Sequence, residues 1–292
     1  MVTGLGASGS ILQRNVAVHA TLVQCFLPDE KGTEMPRFAA NLSLMFTEVP
    51  FLDRFAVAAN SGFTAVEFLL PYAFSPEDIA ARLKDNGLTC ALFNLPPGDW
   101  SAGERGLASF PERFCELKEG VKAALPYAIG TGVKQLHLMA GLARRDDAKA
   151  AAAYRNALAW TCEFLGSSGL DVVIEPINRR NMPGYFLDDF AYAAGLIKDL
   201  AIPNLKLQFD IFHCQIIHGD VTMRLRELMP LIGHIQIASV PSRHEPDGEE
   251  LNFPFLFAEI DRLAFSGFVG CEYNPRGATM EGLNWFAPYA AS

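Results

Sequence analysis

Four positions in this chain put an oxygen ligand at the end of an apolar run: Glu175 in "DVVIEPIN", Asp210 in "LKLQFDIFH", Gln236 in "IGHIQIAS" and Glu272 in "FVGCEYNP". A buried ionisable side chain costs several kcal/mol unless it is paired, so each carboxylate implies a structural partner or a function. Taken singly, each is as well explained as a cap or a loop anchor. Taken together, gathered carboxylates need a cation. Three carboxylates and one amide oxygen make a hard, all-oxygen set, suited to Mg2+ or Mn2+ and poorly suited to zinc. Carboxylates so placed can also move protons as general acid and base.

For these residues to meet, their strands must lie side by side. From Phe38 onward short apolar runs alternate with longer amphipathic ones, the pattern of successive βα units. Eight strands are expected: "FAANLSL", "AVEFLLP", "LTCALFN", "VKQLHLMAG", "DVVIEPIN", "LKLQFDIFH", "IGHIQIAS" and "FVGCEYN". Helical stretches lie between them. "SPEDIAARLKDNG" has Ser75 as N-cap, Pro76 in the first turn and Gly87 as the stop. "DDAKAAAAYRNALAWTCEFLGSSG" is alanine-rich and ends in glycine. Further helices are expected over 188–200, 219–229 and 252–265, with the tail "TMEGLNWFAPYA" closing the set. Eight such units without a linker predict a single-domain α/β fold, a (β/α)8 TIM barrel. The competing doubly wound sheet would carry a glycine-rich turn after its first strand, and "NLSLMFTEV" has none. Barrel enzymes place their chemistry at the C-terminal strand ends, where strands five to eight would present Glu175, Asp210, Gln236 and Glu272. Neighbouring strands are about 4.8 Å apart, close enough for these side chains to converge on one ion.

Other polar residues fall near the same mouth. His213, three residues after Asp210, is either a loop-anchoring histidine or a neutral donor to a substrate oxygen. Arg243 in "VPSRHEP" is either a solvated arginine or a two-pronged clamp for a substrate carboxylate. His137 and Asn94 either line the pocket or are satisfied within the core. The loop "NLPPGDWSAGERG", residues 94–106, reads as a lid. No GxSxG elbow, Walker loop or HExxH pattern occurs, which leaves covalent catalysis without support.

The chain has 292 residues, 50% of them hydrophobic, enough to bury a large core. Its formal net charge of -9 argues against nucleic acid as a partner, and no run approaches the length needed to span a bilayer. Six scattered cysteines, with no CxxC pair, fit a reduced, cytosolic protein. "RNVAVHATLVQCFLP" lacks a clear cleavage site, so residues 1–34 are expected to be a poorly ordered or non-native extension, and 35–292 the barrel domain.

The motifs "RFAANLSLMF", "VEFLLPY", "NLPPGDWSAGERG", "IEPIN", "FDIFHCQ", "HIQIASVPSRHEPDGEELN" and "GCEYNPRG" together resemble the hydroxypyruvate isomerase family. That family includes the 2-oxotetronate isomerases and belongs to the xylose-isomerase-like barrels. The likeness runs from Met35 to the C-terminus. It implies that Glu175 and Glu272 are the proton donor and acceptor and also metal ligands, with Asp210 and Gln236 completing the metal site. It also makes His213 a substrate contact and, more loosely, Arg243 another. Related ketose 3-epimerases carry histidine where Gln236 stands, and an amide oxygen binds divalent cations more weakly than an imidazole.

The expected activity is therefore an aldose-ketose type isomerisation by enediolate proton transfer on a small-molecule oxo acid. The exchanged pair is hydroxypyruvate and tartronate semialdehyde, or a 2-oxotetronate and its 3-oxo isomer. A ketose 3-epimerase acting on a neutral sugar, and a non-catalytic sugar-acid-binding barrel, are the alternatives. Three-carbon and four-carbon substrates are not distinguished, and a homo-oligomer is neither required nor excluded.

Overall fold

Eight short parallel strands follow one another in space in their chain order, and the last pairs with the first to close a barrel. They are β1 (Arg37–Asn41), β2 (Ala65–Phe68), β3 (Thr89–Asn94), β4 (Gln135–His137), β5 (Asp171–Ile174), β6 (Leu205–Asp210), β7 (Ile232–Ile237) and β8 (Phe268–Cys271). The computed structural model describes Met1 and residues 36–290. The compact unit that carries the barrel runs from Met35 to Ser292. The expectation for residues 1–34 falls, apart from Met1, outside the described residues.

The helices are α1 (Arg54–Asn60), α2 (Pro76–Asp85), α3 (Phe114–Thr131), α4 (Ala148–Gly166), α5 (Phe190–Leu200), α6 (Ile211–Ile217), α7 (Val221–Leu228) and α8 (Phe253–Arg262). Their starts follow side-chain chemistry. Ser75 Oγ accepts the Asp78 N–H at 3.1 Å, Asp147 Oδ1 that of Lys149 at 2.8 Å, and Asp189 Oδ1 that of Tyr192 at 2.7 Å. Gly87, just past α2, sits at φ +63°, a conformation that costs glycine little.

The helices are not shared out one per strand. Both α6 and α7 follow β6, whereas β8 is followed only by 3-10 turns at Thr279–Trp285 and Ala287–Tyr289. The helix expected in the tail is therefore not an α-helix. Pro288 and Gly282 interrupt propagation, and a side chain at Gly282 would collide with the Glu245 carboxylate. Aromatic packing takes over: Phe38 on β1 meets Phe257, Trp285, Phe286 and Tyr289 edge-on, and Phe286 stacks on Phe63 at 4.1 Å.

Most of the apolar core lies between the strands and the surrounding helices. Inside the barrel the side chains are different. A small cluster of Ala39, Ala65 and Ala91 is followed by a buried polar layer of Asn41, Glu67, Gln208, His234 and Gln236. Among the described residues, no helix is long and apolar enough to cross a membrane.

Candidate active site

Glu175 and Glu272 each follow directly on the last residue of a strand, β5 and β8, and Asp210 is itself the last residue of β6. All three carboxylates are buried at the C-terminal end of the barrel. Asp210 also starts the next helix, since its Oδ1 accepts the backbone N–H groups of Phe212 at 2.7 Å and His213 at 3.4 Å. The cap uses one carboxylate oxygen and brings His213 round to face the other. His213 Nε2 lies 3.5 Å from Asp210 Oδ2 and 3.7 Å from Glu175 Oε1.

Arg243 comes in from the loop after β7 with its backbone at φ +60°. Its Nη2 donates to Glu272 Oε2 at 2.7 Å and lies 3.7 Å from Asp210 Oδ2, and its guanidinium covers the Phe212 ring at 5.0 Å. Arg243 thus neutralises the catalytic candidate Glu272 here. On the other side, His137 Nδ1 lies 3.8 Å from Glu175 Oε2 and 3.2 Å from Asn94 Oδ1. His137 and Asn94, whose placement the sequence left open, are both buried, His137 beside Glu175 and Asn94 against His137.

Gln236 is placed otherwise than the all-oxygen set requires. Its Oε1 accepts from Gln208 Nε2 at 2.6 Å, and its Nε2 donates to Glu67 Oε1 at 2.8 Å. Both poles of the amide are thus engaged inside the barrel. A carbonyl oxygen has two lone pairs, so coordination by Gln236 would have to share Oε1 with Gln208. Glu67 in turn accepts from Asn41 at 2.9 Å and meets His234 Nε2 at 2.6 Å. The sequence reading missed this cluster, although "AVEFLLP" shows the same signal as the other strands, a carboxylate within an apolar run. Asn178, which contacts His213 Nδ1 at 2.7 Å, lay unassigned in "IEPIN".

The electrostatics follow from burial. Glu175 is held well above the usual carboxylate range by burial first, then by the nearby Glu272 and Asp210. Burial also raises Asp210, against the pull of Arg243 and the backbone N–H groups of Phe212 and His213. Glu272 is pushed up to about 8 by burial, with Arg243 opposing. Burial alone would lower Arg243, but Glu272, Asp210 and Glu175 outweigh it and raise the guanidinium. Burial keeps His213 well below its ordinary value and takes His137 down to about 3, so both rings are neutral at pH 7. Their contacts with Glu175 are therefore not ion pairs.

Whether these residues fit a divalent cation can be read from the unpartnered atoms. Glu175 Oε1 and Asp210 Oδ2 are buried and accept no hydrogen bond. These oxygens and a His213 nitrogen form a group whose ligand atoms lie within 4.8 Å of one another. One guanidinium among three carboxylates leaves negative charge in excess, and the donor set suits a hard cation. The lid expected at residues 94–106 is a braced loop. Asp99 Oδ1 accepts from the Ser101 and Ala102 N–H groups, Glu104 pairs with Arg113 at 2.6 Å, and Arg105 covers Trp100.

Comparison with known proteins finds relatives over nearly the whole barrel. The family model described as xylose isomerase-like TIM barrel matches residues 55–289. The 2-oxo-tetronate isomerase of Cupriavidus necator is 52% identical over 257 residues, which cover 87% of this chain and 99% of that protein. The hydroxypyruvate isomerase of Escherichia coli K12 is 41% identical over 257 residues, covering 87% of this chain and all of that one (100%). A solved structure from Brucella melitensis, described as an AP endonuclease of family 2, superposes with a TM-score of 0.86 at 48% identity. It covers 88% of this chain and 100% of its own.

Proposed function

This chain belongs to the hydroxypyruvate isomerase family of xylose isomerase-like TIM barrels, and we propose that it is an isomerase moving a carbonyl along a short 2-oxo acid. The exchanged pair is hydroxypyruvate and tartronate semialdehyde, or a 2-oxotetronate and its 3-oxo isomer. The observation that carries the reading is the basin between Glu175, Asp210 and Glu272, where buried carboxylate oxygens have no partner and one arginine stands alongside.

Moving the carbonyl requires removal of a C–H proton beside it, an enediolate, and return of a proton to the adjacent carbon. Glu175 and Glu272 carry this out, one accepting and the other delivering, with the roles exchanged in the reverse reaction. Burial raises the proton affinity of both, which makes each a stronger base toward a substrate C–H than a solvated carboxylate. Arg243 favours the ionised form of Glu272 and has N–H groups beyond those turned to Glu272 for the substrate carboxylate. His213, neutral and buried, offers its ring to a substrate oxygen.

Glu175 and Asp210 would hold a divalent cation, Mg2+ or Mn2+, through their free oxygens, with Glu272 as a further carboxylate ligand and Gln236 able to join only by sharing its Oε1 with Gln208. When bound, it would supply Lewis-acid stabilisation of the charge on the substrate oxygens. We also take the enzyme to be cytosolic, a reading supported by the free thiols of Cys90, Cys115, Cys162, Cys214 and Cys271.

The test is a panel of three- and four-carbon oxo acids and free ketoses incubated with the protein and Mg2+ or Mn2+. NMR follows isomer formation and deuterium uptake from D2O. Turnover of an oxo acid is expected. Turnover confined to a neutral ketose would replace this reading with an epimerase.

A further inference from the structure

We infer that Asn178 is a positioning residue that sets the tautomer of His213, leaving Nδ1 bare and the proton on Nε2. His213 then faces the basin as a hydrogen-bond donor and not as a third metal ligand. What the donor touches rests on the isomerase reading; the tautomer itself does not.

The argument starts from a group whose role is not in question. The backbone N–H of Asn181 can only donate, and it meets one pole of the Asn178 amide at 2.9 Å, so that pole is Oδ1. The other pole is then the NH2 group, and it lies 2.7 Å from His213 Nδ1. A second pure donor, the backbone N–H of Asn178, reaches the same nitrogen at 3.3 Å. Two donors on one ring nitrogen require it to be the acceptor. A neutral imidazole has one proton, which must be on Nε2.

That atom lies near Asp210 Oδ2 and Glu175 Oε1, but beyond hydrogen-bond reach of either. Distances alone would enrol His213 with Glu175 and Asp210 as a metal-binding group. Ligation needs the Nε2 lone pair, however, and the proton occupies it. Moving that proton to Nδ1 would set an N–H against two buried N–H donors, each then without an acceptor. A fixed Nε2–H aimed into the basin instead suits an oxygen that gains negative charge as the enediolate forms. "IEPIN" thus supplies two functions three residues apart: Glu175 for proton transfer and Asn178 for holding the donor in register.

The tautomer can be read directly from long-range 1H–15N spectra of the full chain labelled with [15N]histidine, with His213 assigned by its loss in His213→Gln. The Nε2–H form is expected, with or without Mg2+. An Nδ1–H form in the wild-type protein overturns the inference, even if no variant folds. Two substitutions separate tautomer control from simple packing. Asn178→Asp keeps the shape but places an acceptor at Nδ1, so the ring proton should move there and kcat fall about 100-fold or more with KM little changed. Asn178→Ala keeps the backbone donor, so the Nε2–H form should persist and kcat fall less. A purely structural asparagine predicts the opposite order, with the alanine variant worse, and that result would also overturn it. If His213 carries Nε2–H but no oxo acid turns over, the tautomer assignment stands and the isomerase reading fails.

Discussion

Two acidic clusters are buried in this barrel, and they differ in one respect. Around Glu67, inside the barrel, every carboxylate oxygen has a partner: Asn41, Gln236 and His234 all reach it within 2.9 Å. Around Glu175, at the mouth, Oε1 and the facing Asp210 Oδ2 have none. Burial does not distinguish them, since Glu67 is 1% exposed and Glu175 4%. The difference is that the interior cluster is closed and the mouth cluster is left open for something absent from the chain itself. An orphaned buried charge is maintained at a cost, and persistent cost at a strand end points to function.

The sharpest way to break the comparison is to neutralise the open cluster. Glu175→Gln and Glu272→Gln should each lower kcat by about 10²- to 10⁴-fold. The melting temperature should hold or rise in Glu175→Gln, whose Oε1 has no partner, and fall in Glu272→Gln, which takes from the part-buried Arg243 its ion-pair partner. Turnover and deuterium exchange measure the first effect and thermal unfolding the second. Near-normal turnover in either variant removes that residue from the mechanism.

The closed cluster should respond in the opposite sense. Glu67→Ala leaves His234, Asn41 and Gln236 without their shared acceptor and should cost about 3–5 kcal/mol of stability by urea unfolding. A loss under about 1 kcal/mol would mean that the interior layer does not hold the barrel together.

Arg243 stands beside the open cluster, and its replacement separates oxo acids from sugars. Arg243→Lys cannot reproduce a planar two-pronged contact, so binding of hydroxypyruvate should weaken by about 2–4 kcal/mol, read as a rise in KM. A neutral ketose has no carboxylate to lose and should respond far less. Equal effects on both would remove the carboxylate clamp.

The smallest effect concerns pH. Glu272 in the folded chain is raised to about 8 from an ordinary 4.5, so the folded state keeps a proton that the unfolded state releases. The stability this contributes is full below the unfolded value and is lost as pH rises through the folded one. Glu175 and Asp210 are shifted in the same direction. The buried His137 and His213 are shifted downward, so they act below about pH 6.5, leaving pH 6.5 to 8 to the carboxyls. Metal-stripped protein should therefore lose up to about 1.4 kcal/mol of stability per pH unit from Glu272 across that window, with Glu175 and Asp210 acting in the same direction. Added Mg2+ or Mn2+ should recover more of it at pH 8 than at pH 6.5. Melting curves that are flat in pH and blind to both cations would show that the open cluster does not hold a cation.

Much of the fold was legible along the chain because its determinants are local. Strand length, the Ser75 and Pro76 helix start, and the strand-end positions of Glu175, Asp210 and Glu272 all follow from short patterns of residue type. The tail was misjudged as an α-helix because its apolar residues suit helical spacing, while the contacts of Trp285, Phe286 and Tyr289 with Phe38 come from the opposite end of the domain.

By itself, then, the sequence determined which oxygen-bearing side chains stand at the strand ends, since alternation and turn residues set strand limits within a few positions. Which of those atoms remain free was decided only by the tertiary structure. Gln236 is engaged by Gln208, 28 residues away, and by Glu67, 169 away. His213 takes its tautomer from Asn178, 35 residues distant. A lone pair's availability depends on what the closed barrel brings within 3 Å of it, and no spacing along the chain encodes that distance.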